Sequence, residues 1–128
     1  MGADLYIKKL HLSENNNSHN AKAYFRDSYN MSNVLWTLSL SWWQDVLPLL
    51  DENLELKGEN LQRFRERVVA AHQRLPTSEE LSEKGVQVNE SGENSIENWH
   101  HHYAKKRMEL VDFLDCAIEN QSSIICSL

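Results

Sequence analysis

The chain has 128 residues, 41% hydrophobic and 25% charged, enough for one domain with its own core and against wholesale disorder. Thirteen Lys and Arg stand against nineteen Asp and Glu; the net charge of -6 excludes a general nucleic-acid or anionic-membrane binder and confines any anion site to a local island. Two cysteines without metal-ligand spacing, no apolar run near the roughly 18 residues of a spanning helix and no signal-peptide core predict a cytoplasmic protein with free thiols and no membrane partner.

Residues 4–12 mix Leu5, Ile7, Leu10 and Leu12 with Lys8, Lys9 and His11 in an alternation that slips midway, which predicts an edge strand with a bulge. Residues 13–20 include Asn15, Asn16 and Asn17 without periodicity and predict a surface loop. A short helix is expected over 21–29. Ser32 or Asn33 then caps a helix over 34–47 that is apolar around most of its circumference, with Leu35, Leu38, Trp42 and Val46 on one face. Its polar strip holds Thr37, Ser41, Gln44 and Asp45, and Pro48 ends it.

The stripe Leu61, Phe64, Val68, Ala71 and Leu75 predicts a helix over 59–75, stopped by Pro76. Thr77 with Glu80 forms a capping box for a short helix ending at Gly85. Ser95 caps the longest helix, 96–118, and the tail 123–128 pairs with the N-terminal strand. The predicted fold class is α+β and predominantly α: a single domain over 1–128 with about four main helices and a small N- and C-terminal strand pair.

On the last helix the 3.6-residue period sets Lys106 inside the apolar stripe, between Tyr103 and Leu110, with His102 and Arg107 on its flanks. A solvated charge would fall on the outer face, as His101, Lys105 and Asp112 do. One explanation is a snorkelling stem or an ion pair with Asp45 or Asp27. The other is an anion site. Residues 100–107 carry three histidines, two lysines and one arginine, with no acid between Glu97 and Glu109, so this is a basic island in an acidic protein. Trp36, Trp43 and Tyr103 supply flat surfaces for stacking a ring, against the alternative of plain core packing.

The segment Tyr24, Phe25, Arg26, Asp27, Ser28, Tyr29, Asn30 adds a guanidinium for carboxylate or phosphate. The opening Met1-Gly2-Ala3-Asp4-Leu5-Tyr6-Ile7, that segment, the block Leu40-Ser41-Trp42-Trp43-Gln44-Asp45-Val46 and Glu93-Asn94-Ser95 running into Trp99-His100 together resemble a family of small uncharacterised proteins from bacteria and their phages. The resemblance spans most of the chain and brings no activity to transfer. A phage setting implies a counter-defence role, through capture of a nucleotide-derived signal or blockade of a host protein.

The first functional expectation is non-catalytic binding of an anionic, ring-bearing small molecule such as a nucleotide derivative. Arg26, Lys106 and Arg107 would neutralise charge, with His102 beside them; Trp36, Trp43 or Tyr103 would stack; Asn30, Gln44 or Asp45 would orient polar edges. The second expectation is a protein-interaction inhibitor with an acidic and aromatic surface, and the third a small hydrolase with a His general base. Consecutive histidines on a helix point about 100° apart, so His100, His101 and His102 cannot share one ion; neither a metal nor a cofactor is expected. Self-association is left open.

Overall fold

The computed structural model describes residues 2–11, 23–28 and 33–128; the Asn-rich loop expected at 13–20 lies outside them. At the start, Ala3, Leu5 and Ile7 are fully buried while Asp4 and Tyr6 are half-buried, the period-two pattern of a strand with one face on a core. This strand is β1 (Gly2–Ile7), and it gives way at Lys8 to a single helical turn, α1 (Lys8–His11), where the alternation slips.

Strand β4 (Ile124–Ser127) pairs antiparallel with β1, as the sequence predicts, and two further strands flank the pair in a four-stranded sheet, one beyond β4 and one beyond β1, so β1 is an interior strand and not the expected edge strand. One is β3 (Glu55–Leu56). The other is β2 (Tyr24–Ser28), where a helix over 21–29 was expected. Ala23, Phe25 and Asp27 are buried and Tyr24 and Arg26 exposed, so the segment does alternate. Asp27 sits at a core position, and a carboxylate there hid the strand pattern from a hydrophobicity reading.

The apolar stretch 34–47 is not one helix. Asn33 accepts from the Trp36 N–H at 2.8 Å and caps α2 (Val34–Thr37), but Ser39 takes a left-handed backbone (φ 58°) and ends it after one turn. Ser41 then restarts the chain as a π-helical turn, Trp42–Val46, and a 3-10 turn, Leu47–Leu49, holds Pro48. A straight helix would spread this segment's apolar residues around its whole circumference. The break sends Val34, Leu35, Leu38, Trp42 and Val46 inward and leaves Trp43 and Gln44 outside.

Helix α3 (Gly58–Ala70) is shorter than the expected 59–75, because Ala71 is already extended. Helix α4 (Ser78–Glu83) carries the predicted capping box of Thr77 and Glu80. Helix α5 (Ile96–Glu119) is capped by Ser95 and buries Tyr103, Leu110, Phe113, Leu114 and Ala117. Sheet, α3 and α5 close on one core in which Trp42 lies 6.5 Å from Phe25 and 5.8 Å from Phe64, and Phe25 lies 6.0 Å from Phe113, all between ring centroids. The fold is predominantly helical α+β. Among the described residues, no helix is long and apolar enough to cross a membrane.

Candidate functional site

Arg26 on β2 and Lys106 on α5, distant in sequence, line one cleft of about 310 Å³. Phe25 and Phe113 form its buried floor, Tyr24 is exposed at its rim, and Glu109 and Asp112 complete the wall on α5. The helix period explains that wall: residues 106, 109, 112 and 113 fall on one side of α5.

Lys106 is half-buried in the apolar stripe, as the sequence predicts. Its Nζ stands 5.0 Å from the Phe25 ring centroid and 3.8 Å from Glu109 Oε2, a long contact at the limit of an ion pair. Neither Asp45 nor Asp27 is the salt-bridge partner seen. Arg26 is 60% exposed, with Nε 3.7 Å from Asp4 Oδ1. The Tyr24 hydroxyl donates to the same Asp4 oxygen at 2.5 Å, and this bond pushes the phenol up to about 12, so it remains a neutral donor.

Phe25 of β2 lies between two parts of α5, with Lys106 Nζ and the Phe113 ring both against its own ring. Lys106, Glu109 and Asp112 follow one another along the α5 wall of the cleft. The wall is therefore polarised along the helix, cationic at Lys106 and acidic at Asp112, with Arg26 reaching the cleft from the exposed edge of β2. Partial desolvation against its aromatic neighbours first, and Lys106 second, hold the imidazole of the surface residue His102 below its usual range and favour its neutral form. The ring packs on Trp99 and Tyr103 at centroid distances of 5.7 and 5.4 Å.

Among the described residues, the other predicted site residues do not line this cleft, and their contacts explain why. The Arg107 guanidinium donates to the carbonyls of Val68, Val69 and Ala71 at 3.1, 3.2 and 2.5 Å, closing the end of α3. Asp45 accepts from the Ser41 N–H at 2.7 Å and pairs with Arg67 at 2.6 Å, which braces the π-helical turn. Trp36 lies under cations: Arg74 is 4.9 Å and Lys84 5.9 Å from its ring. Tyr103 is buried, and Trp43 and Gln44 project from the π-helical turn, with Trp43 57% exposed. Asn30 lies outside the described residues.

Tyr24, Glu109 and Asp112 went unselected in the sequence, although the i, i+3 spacing places Glu109 beside Lys106; Asp112, expected on the outer face, is exposed and lines the cleft one turn further on. A larger hollow of about 650 Å³ lies between α4 and the start of α5. Its charged lining is Glu79, Glu83, Glu90 and Glu97, the wrong sign for an anion. The three histidines diverge: His100 Nε2 meets the Pro76 carbonyl at 2.7 Å, His101 is exposed, and His102 joins the aromatic cluster. Among the described residues, no group of three or more His, Cys, Asp or Glu is arranged to hold a metal ion. Comparison with protein-family models, with curated proteins and with solved structures finds no match.

Proposed function

We propose that the cleft between β2 and α5 binds an anionic, ring-bearing small molecule of the nucleotide-derivative class without transforming it. The convergence of Arg26 and Lys106 on one cleft over an aromatic floor carries this reading. A phosphate or carboxylate fits the Arg26–Lys106 end, where charge-assisted bonds orient it. Tyr24 offers a face for a ring, and Glu109 and Asp112 accept from hydroxyl or amino groups. Such a polarised cleft discriminates against a bare anion, which would meet the two carboxylates with nothing to donate to them. Joined to the family resemblance, the reading is sequestration of a signalling nucleotide in the cytoplasm as a counter-defence.

The test is a titration of isotope-labelled protein with mononucleotides, cyclic dinucleotides and inorganic phosphate, followed by NMR. Shift changes centred on Arg26, Lys106 and Asp112, with intact nucleotide recovered afterwards, support a binder; recovered product would replace it with an enzyme. Lys106→Met is expected to leave the melting temperature nearly unchanged while cutting affinity about ten- to a hundredfold, the worth of one charge-assisted contact. Several kcal/mol of lost stability, or unchanged affinity, would remove Lys106 from the site.

A second reading, inhibition of a host protein, has one observation in its favour: Trp43, 57% exposed, is carried on a turn braced by Ser41, Asp45 and Arg67. Loss of a host partner on Trp43→Ala, with nucleotide binding intact, would establish it.

A further inference from the structure

The hydrogen-bond phase of the sheet fixes what the free edge of β2 presents. Just past β1, the Lys8 N–H donates to the Ser123 carbonyl at 3.0 Å, and the Cys126 N–H donates to the Leu54 carbonyl at 3.0 Å. Even-numbered residues of β1 therefore turn their backbone groups toward β4, and odd-numbered ones toward β2. Ala3 and Leu5 face Asp27 and Phe25 in the β1–β2 ladder. It follows that the backbone N–H and C=O groups of Tyr24 and Arg26 point away from β1, along an edge where no strand pairs among the described residues. An edge with unpaired groups is a template for another strand.

The groove beside that edge is self-complementary. A two-fold axis perpendicular to the sheet at Phe25 reverses the groove, and so sets the Lys106 end of one α5 wall against the Asp112 end of the other. Lys106 and Asp112 lie about 9 Å apart along α5, on either side of that axis. The register centred on Phe25 suits both face and charge. With Phe25 opposite its own copy, each Arg26 lies across from a Tyr24, a favourable cation–aromatic pair. A shift by two residues one way sets Arg26 against Arg26, which like-charge repulsion disfavours; a shift the other way sets Tyr24 against Tyr24 and removes both cation–aromatic pairs.

We propose that β2 pairs antiparallel with β2 of a second copy of this chain, joining two sheets into one and matching Lys106 of each protomer with Asp112 of the other. Glu109, near the axis, keeps Lys106 of its own chain as partner. The interface is isologous and closes as a dimer. It uses the cleft assigned above to a small molecule, so the two occupants exclude each other, and a bound ligand favours the monomer. The pairing itself needs no ligand; it is tested in the ligand-free protein, and its failure leaves the ligand reading standing.

Sedimentation equilibrium of the full chain from micromolar to millimolar concentration is expected to show a monomer–dimer equilibrium. Arg26→Pro removes an N–H that serves no bond within the sheet, and it is expected to leave a folded monomer. Lys106→Glu and Asp112→Lys are each expected to weaken the dimer about tenfold or more, and the double reversal to restore it. A monomer at every concentration overturns the proposal. So does a double reversal no tighter than either single change.

Discussion

The Asp27 carboxylate is buried, yet its two oxygens are occupied: Oδ2 accepts from the Trp42 indole N–H at 2.8 Å and Oδ1 from the Val34 N–H at 3.2 Å. It thereby ties β2 to α2 and to the π-helical turn. Asp27→Ala leaves a buried indole donor and a helix N-terminus without their acceptor, and is expected to cost about 1–3 kcal/mol in urea denaturation. At the site, Lys106 and His102 report on each other. Removing the Lys106 charge lifts one cause of the lowered imidazole pKa, so Lys106→Met should move the His102 NMR titration midpoint upward. A midpoint that stays in place would mean the ammonium lies too far from the ring to be felt. Lys106 was legible in the sequence because an i, i+3, i+4 stripe identifies any charge inside it. Arg107 stands one position further round the same helix, where periodicity gives a direction, here toward an expected ligand contact, but not what lies along it. There it meets the end of another helix.

At the scale of elements, that meeting explains why α3 stops at Ala70, well before Pro76. The carbonyls of Val68, Val69 and Ala71 find a guanidinium, and the Arg74 N–H, bound to the Thr37 carbonyl at 2.8 Å, pins the chain that follows. Arg107→Met is expected to cost about 1–3 kcal/mol and to lower amide exchange protection in the last turn of α3. Ligand affinity should stay unchanged, the opposite of the pattern for Lys106→Met. Capped helices with a clean stripe, α4 and α5, were readable because local and tertiary signals agree there. The central segment was not. Trp42 and Leu38 are buried as expected, but an apolar run without a polar face carries no phase from which to place the left-handed Ser39. Strand β2 failed for the converse reason, a charged residue at an inward position.

For the whole molecule, Glu55 joins three parts of the sheet layer. It accepts from Ser123 Oγ at 2.6 Å, beside β4, and from Lys8 Nζ at 3.0 Å, at the end of β1. The Ser123 bond first and the Lys8 bond second hold its carboxyl below the usual range. A lowered folded pKa gives stability that is present at neutral pH and lost as pH falls below about 4, through the folded value. Glu55→Gln should therefore flatten the acid limb of the stability profile measured by thermal melting; an unaltered limb would assign the acid sensitivity to other carboxylates.

The central pair of the sheet, β1 with β4, joins segments at opposite ends of the described chain; beside it, the Lys9 N–H reaches Ser122 Oγ across 113 positions. A mainly helical protein of this size would ordinarily fold fast from local contacts, but here the decisive pairing must await closure of a very long loop. Refolding in stopped flow should thus run on the millisecond-to-second scale of sheet proteins, with helical signal appearing before Trp42 enters its core. During synthesis, β1 emerges with β2 as its only partner, and its second neighbour arrives only after α5 has been made.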